Sequence, residues 1–224
     1  ALDRIAQGAL ALRLDPTGGA LNLAILPSFG MRWLVPRLPD FAQRHPDVTV
    51  NMTTRLRPFA FGAEPFDAAI HFGPPDAWPG TRHLTLMVEQ VRPLAAPGLV
   101  PDAPLSLDRL AAMPLLHIQT RPEAWRAWFA AQNAPRSAIP GTSFDQFTTI
   151  LQAAIHGLGV ALVPDYLSAT DRATGALVEA TATPPLSLGA YHLIWPSDRA
   201  PSPALTVFRD WLALLTEDED ALPR

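Results

Sequence analysis

The sequence predicts an α/β protein built from two units that two extended segments join. Short apolar runs typical of buried strands alternate with amphipathic helical patterns, which favours parallel or mixed sheets covered by helices. A proline-rich stretch at 97–104 interrupts this alternation and marks a crossing into the second unit. The run 186–195 is long enough to return to the first unit. In such folds, ligands bind at the carboxyl ends of strands, where helix amino termini converge.

The first unit follows a turn cluster at 15–19. A strand is predicted at 21–26, a loop at 27–30, and a helix from about residue 31 to residue 44. Pro36 falls near the first turn of this helix, where proline is tolerated, whereas Pro39 should bend or loosen the helix, and His45-Pro46 should end it. Four apolar residues fall on its inner face: Leu34, Val35, Leu38 and Phe41.

Further strands are predicted at 48–52 and 67–72, with one short helix between them within 55–66. Phe59 and Phe61 in that helix are expected to serve packing. A rigid loop at 73–80 precedes two extended segments, 82–87 and 89–95.

The second unit begins with a helix at 107–112, which Ser106 caps, and a strand at 115–118. Pro122 suits the first turn of a helix whose Trp125, Trp128 and Phe129 are expected to pack against the sheet. A short helix from 165 to about 169 and a strand near 177 complete this unit. The closing helix carries four apolar residues at helical spacing: Leu205, Phe208, Leu212 and Leu215.

The stretch 141–164 predicts a helix that begins at Asp145 after a small polar loop. Ser143 or Asp145 would cap it, with Gln146 at the capping-box position. Gly157 would end it, and 160–163 would form a buried strand closed by Pro164. The residues expected on its buried face are Phe147, Ile150, Leu151, Ala154, Ile155 and Leu158. A helix amino terminus of this kind attracts carboxylates and phosphates.

Composition excludes several classes of function. The 224 residues carry a net charge of −4 with scattered basic residues, which offers no nucleic-acid footprint. There is no cysteine and no apolar run of membrane-spanning length, and no secretory segment opens the chain, so we expect a cytoplasmic protein. The six histidines lack paired ligand spacing, and no phosphate-binding or nucleophile motif occurs. We therefore expect neither a metal nor a cofactor, and no catalysis.

Four stretches in order resemble the effector-binding domain of LysR-type transcriptional regulators. They are 21–29, 34–48, 67–73 and 153–164, and the resemblance covers nearly all of the chain from Gly19 to Leu215. Three further stretches resemble the branch that contains regulators of the glycine cleavage system and of chromosomal β-lactamase: Phe72-Gly73 with Trp78-Pro79-Gly80, Phe144-Asp145, and residues 188–193.

The resemblance implies the fold of type II periplasmic binding proteins, with two Rossmann-like subdomains and an effector between them. It places the end of a linker helix and hinge at 1–18, subdomain I at 19–95 plus 191–224, and subdomain II at 96–190. It also implies an N-terminal helix-turn-helix, absent from this chain, through which DNA is bound. Family members are usually homodimers or homotetramers, and an effector would shift the spacing of their DNA-binding heads.

The resemblance also suggests effector-binding residues. Ser28 matches a hydroxyl residue after the first strand, Asp145 an acidic residue at the second helix terminus, and Tyr191 a pocket tyrosine on the returning strand. A serine that binds the ligand carboxylate in the β-lactamase regulators is replaced by Phe147. A phenyl ring cannot donate that hydrogen bond, which disfavours a cell-wall peptide, although Thr148 supplies a neighbouring hydroxyl. The remaining candidates are Phe29, His71, Phe72 and Gln146.

The expected function is therefore to sense a small metabolite, such as an amino acid or another carboxylate. A solute-binding protein of a transporter would use the same cleft, and an upstream helix-turn-helix or a signal peptide would separate the two. A third alternative is an enzyme on this fold, such as a prephenate dehydratase or a porphobilinogen deaminase. The deaminase needs a cysteine, which the chain lacks, and only Thr53-Thr54-Arg55 suggests the dehydratase.

Overall fold

A computed structural model describes residues 19–74 and 77–221 of the chain. The predicted linker helix and hinge at 1–18 lie outside these residues. The chain forms two compact units: unit 1 contains the described residues up to Val88 and from Gly189 onward, and unit 2 is Glu89–Leu188. Within the described ranges, no helix is both long enough and apolar enough to span a membrane.

These boundaries fall earlier than the predicted ones at residues 95 and 190. The reason is that β4 (Thr81–Ala95) and β9 (Leu186–Pro196) are continuous strands that pass from one unit into the other. The predicted extended conformation at 82–87 and 89–95 is confirmed, but the two segments form one continuous strand. The carboxyl half of β4 belongs to unit 2 because it pairs with strands of that unit, as in Val91 with Pro164.

Unit 1 is built on the strand order β2-β1-β3-β9-β4. β1 (Gly19–Ile25) pairs in parallel with both β2 (Val48–Thr54) and β3 (Ala68–Phe72), and β3 pairs antiparallel with β9. The three strands were predicted from their apolar residues. This arrangement places the carboxyl ends of β1 and β3 at the same edge of the sheet.

The segment after β1 is helical from Pro27, so the predicted loop at 27–30 is wrong. It consists of α1 (Pro27–Phe29), a π-helical turn (Gly30–Leu34), a 3-10 turn (Val35–Arg37) and α2 (Leu38–Arg44). Pro27 fits the first turn of a helix, since the N–H it lacks would have no partner there.

Pro36 and Pro39 explain the irregular middle of this segment. Neither can donate a backbone hydrogen bond, so the regular ladder is lost around them. The predicted loosening is confirmed, as is the end of the helix at His45. Leu34 and Phe41 are buried as predicted, but Val35 is exposed because the irregular turns change the helical phase, and Trp33 is buried instead.

Residues 55–66 form turns, and the predicted helix there is wrong. Pro58, Gly62 and Pro65 disfavour a helix in this short segment. Side chains hold it instead, since the Arg55 guanidinium donates to Glu64 Oε2 from Nε at 3.0 Å and from Nη2 at 2.9 Å. The predicted packing of Phe59 and Phe61 is confirmed against Phe66 and Trp78.

The closing helix α7 (Pro203–Ala221) packs on α2. Phe208 and Trp211 lie 5.2 and 5.0 Å from the ring of Phe41. Trp211 Nε1 donates to Asp40 Oδ2 at 2.8 Å, and this bond, together with one from Arg44, lowers the pKa of Asp40. The contacts fix the helical segment that carries Ser28 and Phe29.

Unit 2 is built on the carboxyl half of β4, followed by β7 (Val160–Pro164), β5 (Leu115–Ile118) and β6 (Gly141–Phe144), with β8 (Val178–Glu179) paired to β4. Its helices are α3 (Leu107–Ala111), α4 (Ala124–Ala131), α5 (Phe147–Ile155) and α6 (Asp165–Ala173). The Ser106 cap is confirmed, since its Oγ accepts from Arg109 N at 3.3 Å.

The apolar residues of α4 and α5 enter two hydrophobic clusters. Trp125, Trp128 and Phe129 are buried as predicted. In α5 the buried face is confirmed through Ala154, whereas Leu158 is 52% exposed. The helix ends at Ile155, and Gly157, with a φ of 76°, turns the chain out of the helical phase before Leu158 is reached.

The start of α5 differs from the prediction. Residues 141–144 form β6, which pairs in parallel with β5, so Ser143 lies in a strand and caps nothing. The strand depends on Gly141, because a Cβ there would lie 1.9 Å from Leu115 O. Gln146 is the N-cap residue, and its side chain makes no capping hydrogen bond. The capping box is therefore wrong.

Candidate functional site

Five predicted site residues belong to unit 1 and are called the unit 1 group: Ser28, Phe29, His71, Phe72 and Tyr191. Ser28 and Phe29 form the helical turn directly after β1, and both are buried. His71 and Phe72 end β3, where Phe72 is paired with Tyr191 of β9. The sheet therefore brings residues that are distant in sequence to the carboxyl ends of β1 and β3.

Aromatic stacking organises the middle of the unit 1 group. The Tyr191 ring stacks on Phe29 with centroids 4.2 Å apart, and Phe72 meets Tyr191 edge-on at 5.2 Å. Phe29 also stacks on Trp33 at 4.8 Å. Such contacts stabilise by about 0.5–1.5 kcal/mol each beyond the burial of their surface. The burial of Trp33 in this group was not predicted, although apolar residues follow it directly in the sequence.

Gly189 makes room for the Phe72 ring. Its φ of 153° is one that other residues rarely adopt, and a Cβ there would lie 2.8 Å from Phe72 Cζ. A side chain at this position would displace the ring that packs against Tyr191. The sequence signal was the glycine two residues before Tyr191.

His71 lies on the opposite face of β3 from Phe72, as strand alternation requires. It is half-buried, and its ring meets Trp78 edge-on at 5.4 Å. The structure thus brings Phe29, Phe72 and Tyr191 together, whereas His71 contacts a different aromatic residue. Its role in binding stays a prediction.

Two histidines, His83 and His192, lie beside this group. His192 follows Tyr191, is 5% exposed, and places Nδ1 3.1 Å from Thr85 Oγ1. Burial lowers the pKa of His192, and the neighbouring His83, with rings 5.5 Å apart, lowers it further. The neutral imidazole is therefore favoured in the folded chain.

The other four predicted residues belong to unit 2 and are called the unit 2 group: Asp145, Gln146, Phe147 and Thr148. They connect β6 to α5. Asp145 is exposed, Gln146 and Thr148 are half-buried, and Phe147 is 8% exposed. Because the side chain of the N-cap residue Gln146 makes no capping hydrogen bond, the first N–H groups of α5 suit an anionic group.

Sequence reasoning missed a buried ion pair beside the unit 2 group. The Arg121 guanidinium, just after β5, donates to the Glu89 carboxylate of β4, with side-chain exposures of 8% and 0%. The Arg121 Cζ atom also lies 4.9 Å from the Phe147 ring centroid. A single acidic residue inside an extended apolar run was the signal that could have revealed Glu89.

The described part of the chain contains no group of three or more histidine, aspartate or glutamate residues that could hold a metal ion. The candidate residues are aromatic rings, hydroxyls, amides and one exposed carboxylate. Their chemistry suits recognition of a small organic molecule by stacking and hydrogen bonding.

Comparison with known sequences identifies the family. Residues 15–215 match the LysR substrate binding domain family. The chain is 33% identical to the HTH-type transcriptional activator AmpR of Rhodobacter capsulatus, over 91% of this chain and 71% of that protein. It is 30% identical to the glycine cleavage system transcriptional activator of Escherichia coli, over 93% of this chain and 69% of that protein.

Comparison with solved structures gives the same family. The effector domain of AmpR from Pseudomonas aeruginosa matches with a TM-score of 0.81 and 32% identity, over 89% of this chain and 96% of that one. The AmpR effector binding domain from Citrobacter freundii matches with a TM-score of 0.78 and 25% identity, over 89% and 98% of the two chains. The predicted fold class, α/β with two Rossmann-like subdomains of the type II periplasmic-binding-protein kind, is thereby confirmed. The chain belongs to the LysR substrate-binding domain family and is the effector-binding domain of a LysR-type transcriptional regulator.

Proposed function

We propose that the chain recognises a small metabolite that carries both an amino group and a carboxylate, and that these two polar groups bind at the unit 2 group. The observation that carries this proposal is the uncapped amino terminus of α5 with the exposed Asp145 two residues before it. The N–H groups suit a carboxylate, and Asp145 suits an ammonium group. Separately, we propose that the unit 1 group takes part in effector recognition through its hydroxyls and aromatic rings.

The signal is proposed to reach DNA through a helix-turn-helix domain. Two relatives are named as transcriptional activators, and one of them as HTH-type. The chain spans 71% and 69% of their lengths. These names support a role in transcription and give no support to transport or catalysis. Such regulation takes place in the cytoplasm.

We also propose that the chain self-associates as a homodimer or homotetramer. Apolar side chains of unit 1 lie exposed on its helical segment, with Met31 at 47% and Val35 at 44%. Met52, at 39%, lies on β2, the first strand in the sheet order. Burial of these residues by a second copy would be favourable. Sedimentation of the purified chain measures this state.

A thermal-shift screen of amino acids and aromatic acids tests effector recognition, because a ligand that binds only the folded state raises its melting temperature. The affinity of each responsive compound is then measured by calorimetry. We expect Ser28→Ala and Tyr191→Phe each to weaken binding by about tenfold through loss of a hydrogen bond to the ligand.

The matched controls are Ser137→Ala on the surface and Tyr166→Phe, which removes the other tyrosine hydroxyl of the chain. Both should leave affinity unchanged. If Ser28→Ala and Tyr191→Phe bind every responsive compound like the wild type, the site assignment fails.

A further inference from the structure

Unit 1 contains a cavity of about 580 Å³ whose lining includes no residue of the unit 1 group. Its walls come from the turns at 55–66, the loop before β4 and the segment after β9. The volume is within the range of small-ligand pockets, roughly 300–1,000 Å³. The cavity is large enough for an aromatic metabolite.

Aromatic side chains form one wall of this cavity. Phe61 stacks on Trp78 with centroids 5.4 Å apart, and Phe59 meets Trp78 edge-on at 5.0 Å. Phe59 and Phe61 are only half-buried, so part of each ring stays uncovered. Uncovered aromatic surface that lines a cavity favours a ligand with a flat ring.

Two polar contacts hold this wall in place. Trp78 Nε1 donates to Phe59 O at 2.9 Å, which joins the turns at 55–66 to the loop before β4. The Arg55–Glu64 ion pair closes the base of those turns, and Arg55 Nη1 also donates to Thr54 O at 3.0 Å. A preformed wall reduces the entropy that a ligand must lose on binding.

Two adjacent residues of opposite charge, Asp198 and Arg199, line the cavity. Both side chains are exposed, and among the described residues neither forms an ion pair. Arg199 Nη2 donates to Phe66 O at 3.2 Å, which leaves four of its five N–H donors for other partners. A carboxylate is the natural partner of this guanidinium, and an ammonium group is the natural partner of the Asp198 carboxylate.

We propose that this cavity is a second binding site, for an aromatic α-amino acid. The ring would lie on Phe59 and Phe61, the carboxylate would bind Arg199, and the ammonium group would bind Asp198. An aromatic acid without the amine would leave Asp198 unpaired beside its own negative charge. The proposal does not depend on the effector contacts proposed above.

The test is calorimetry of the purified chain with three probes. L-tryptophan carries both charges, indole-3-propionate lacks the ammonium group, and tryptamine lacks the carboxylate. Arg199→Gln should weaken L-tryptophan and indole-3-propionate by about tenfold or more and leave tryptamine unchanged. Asp198→Asn should weaken L-tryptophan and tryptamine, whereas indole-3-propionate should bind at least as tightly as before, because its carboxylate loses a like-charged neighbour. Phe61→Ala should weaken all three.

Controls separate binding from folding. Arg82→Gln and Asp47→Asn remove exposed charges of unit 1 that do not line the cavity, and they should change nothing. Because Arg199→Gln also loses the bond to Phe66, Arg199→Lys should restore part of the L-tryptophan affinity. Circular dichroism checks the fold of each variant.

The second site is refuted if L-tryptophan does not bind at millimolar concentration, or if the two charge variants affect the three probes alike. It is also refuted if Ser28→Ala abolishes L-tryptophan binding while Arg199→Gln and Asp198→Asn retain it. That last result would assign the ligand to the unit 1 group and leave the proposed function intact. Conversely, if the effector screen fails, the second site is still tested by whether Arg199→Gln and Asp198→Asn weaken different probes.

Discussion

The two groups of candidate residues are held by different forces. In the unit 1 group, the rings of Phe29 and Phe72 both pack against the ring of Tyr191. In the unit 2 group, Phe147 lies against Arg121, which the buried Glu89 carboxylate holds. Aromatic packing loses stability gradually as contacts are removed, whereas a buried ion pair is costly as soon as one partner is lost.

Arg121→Ala should have the largest effect on stability. It removes the guanidinium that binds the buried Glu89 carboxylate, and we expect a loss of about 3–5 kcal/mol in the free energy of unfolding. Urea denaturation measures this loss.

The double variant Arg121→Met with Glu89→Leu is the matched control, since it replaces both charges by apolar groups of similar size. It should be more stable than Arg121→Ala. If the double variant is at least as unstable as the single one, the ion pair is not what supports Phe147.

Gly189→Ala should have an intermediate effect, in unit 1. The methyl group meets the Phe72 ring and the backbone keeps a φ unfavourable to alanine, so we expect a loss of about 1–3 kcal/mol. Urea denaturation again gives the value. Gly98→Ala is the control, because nothing lies within 4 Å of its Cβ position. Equal stability of both variants would mean that Phe72 can move aside freely.

The smallest effect should be a dependence on pH through His192, next to Tyr191. Its pKa is lowered from the usual 6.5 by burial and then by His83. The unfolded chain therefore takes up the proton first as the pH falls, and stability decreases below 6.5 but does not depend on this group above it. His192→Gln should flatten that decrease in thermal melts recorded at several pH values. A decrease as steep as that of the wild type, with the exposed His156→Gln as control, would contradict this role.

The strands were the most predictable part of the fold. The buried runs that became β1, β3, β5 and β7 carry their own signal, because a strand covered on both faces needs apolar residues at successive positions. The starts of helices were less predictable. Pro27 and Gly30 suggested a loop, yet the chain is helical there, and the start of α5 lies two residues beyond Asp145 because 141–144 pairs with β5.

For the candidate site, too, some features could be predicted from the sequence and others could not. Sequence alone determined the fold class and the family, since ordered apolar patterns and short motifs survive in the linear chain. It also singled out the residues of both groups, whose role in binding is still to be tested. Only the tertiary structure decided that Tyr191 stacks on Phe29 and that Glu89 pairs with Arg121, because those contacts join strands and loops far apart in sequence. The physical reason is that periodicity records which side of an element is buried, whereas sheet pairing determines which neighbour is found there.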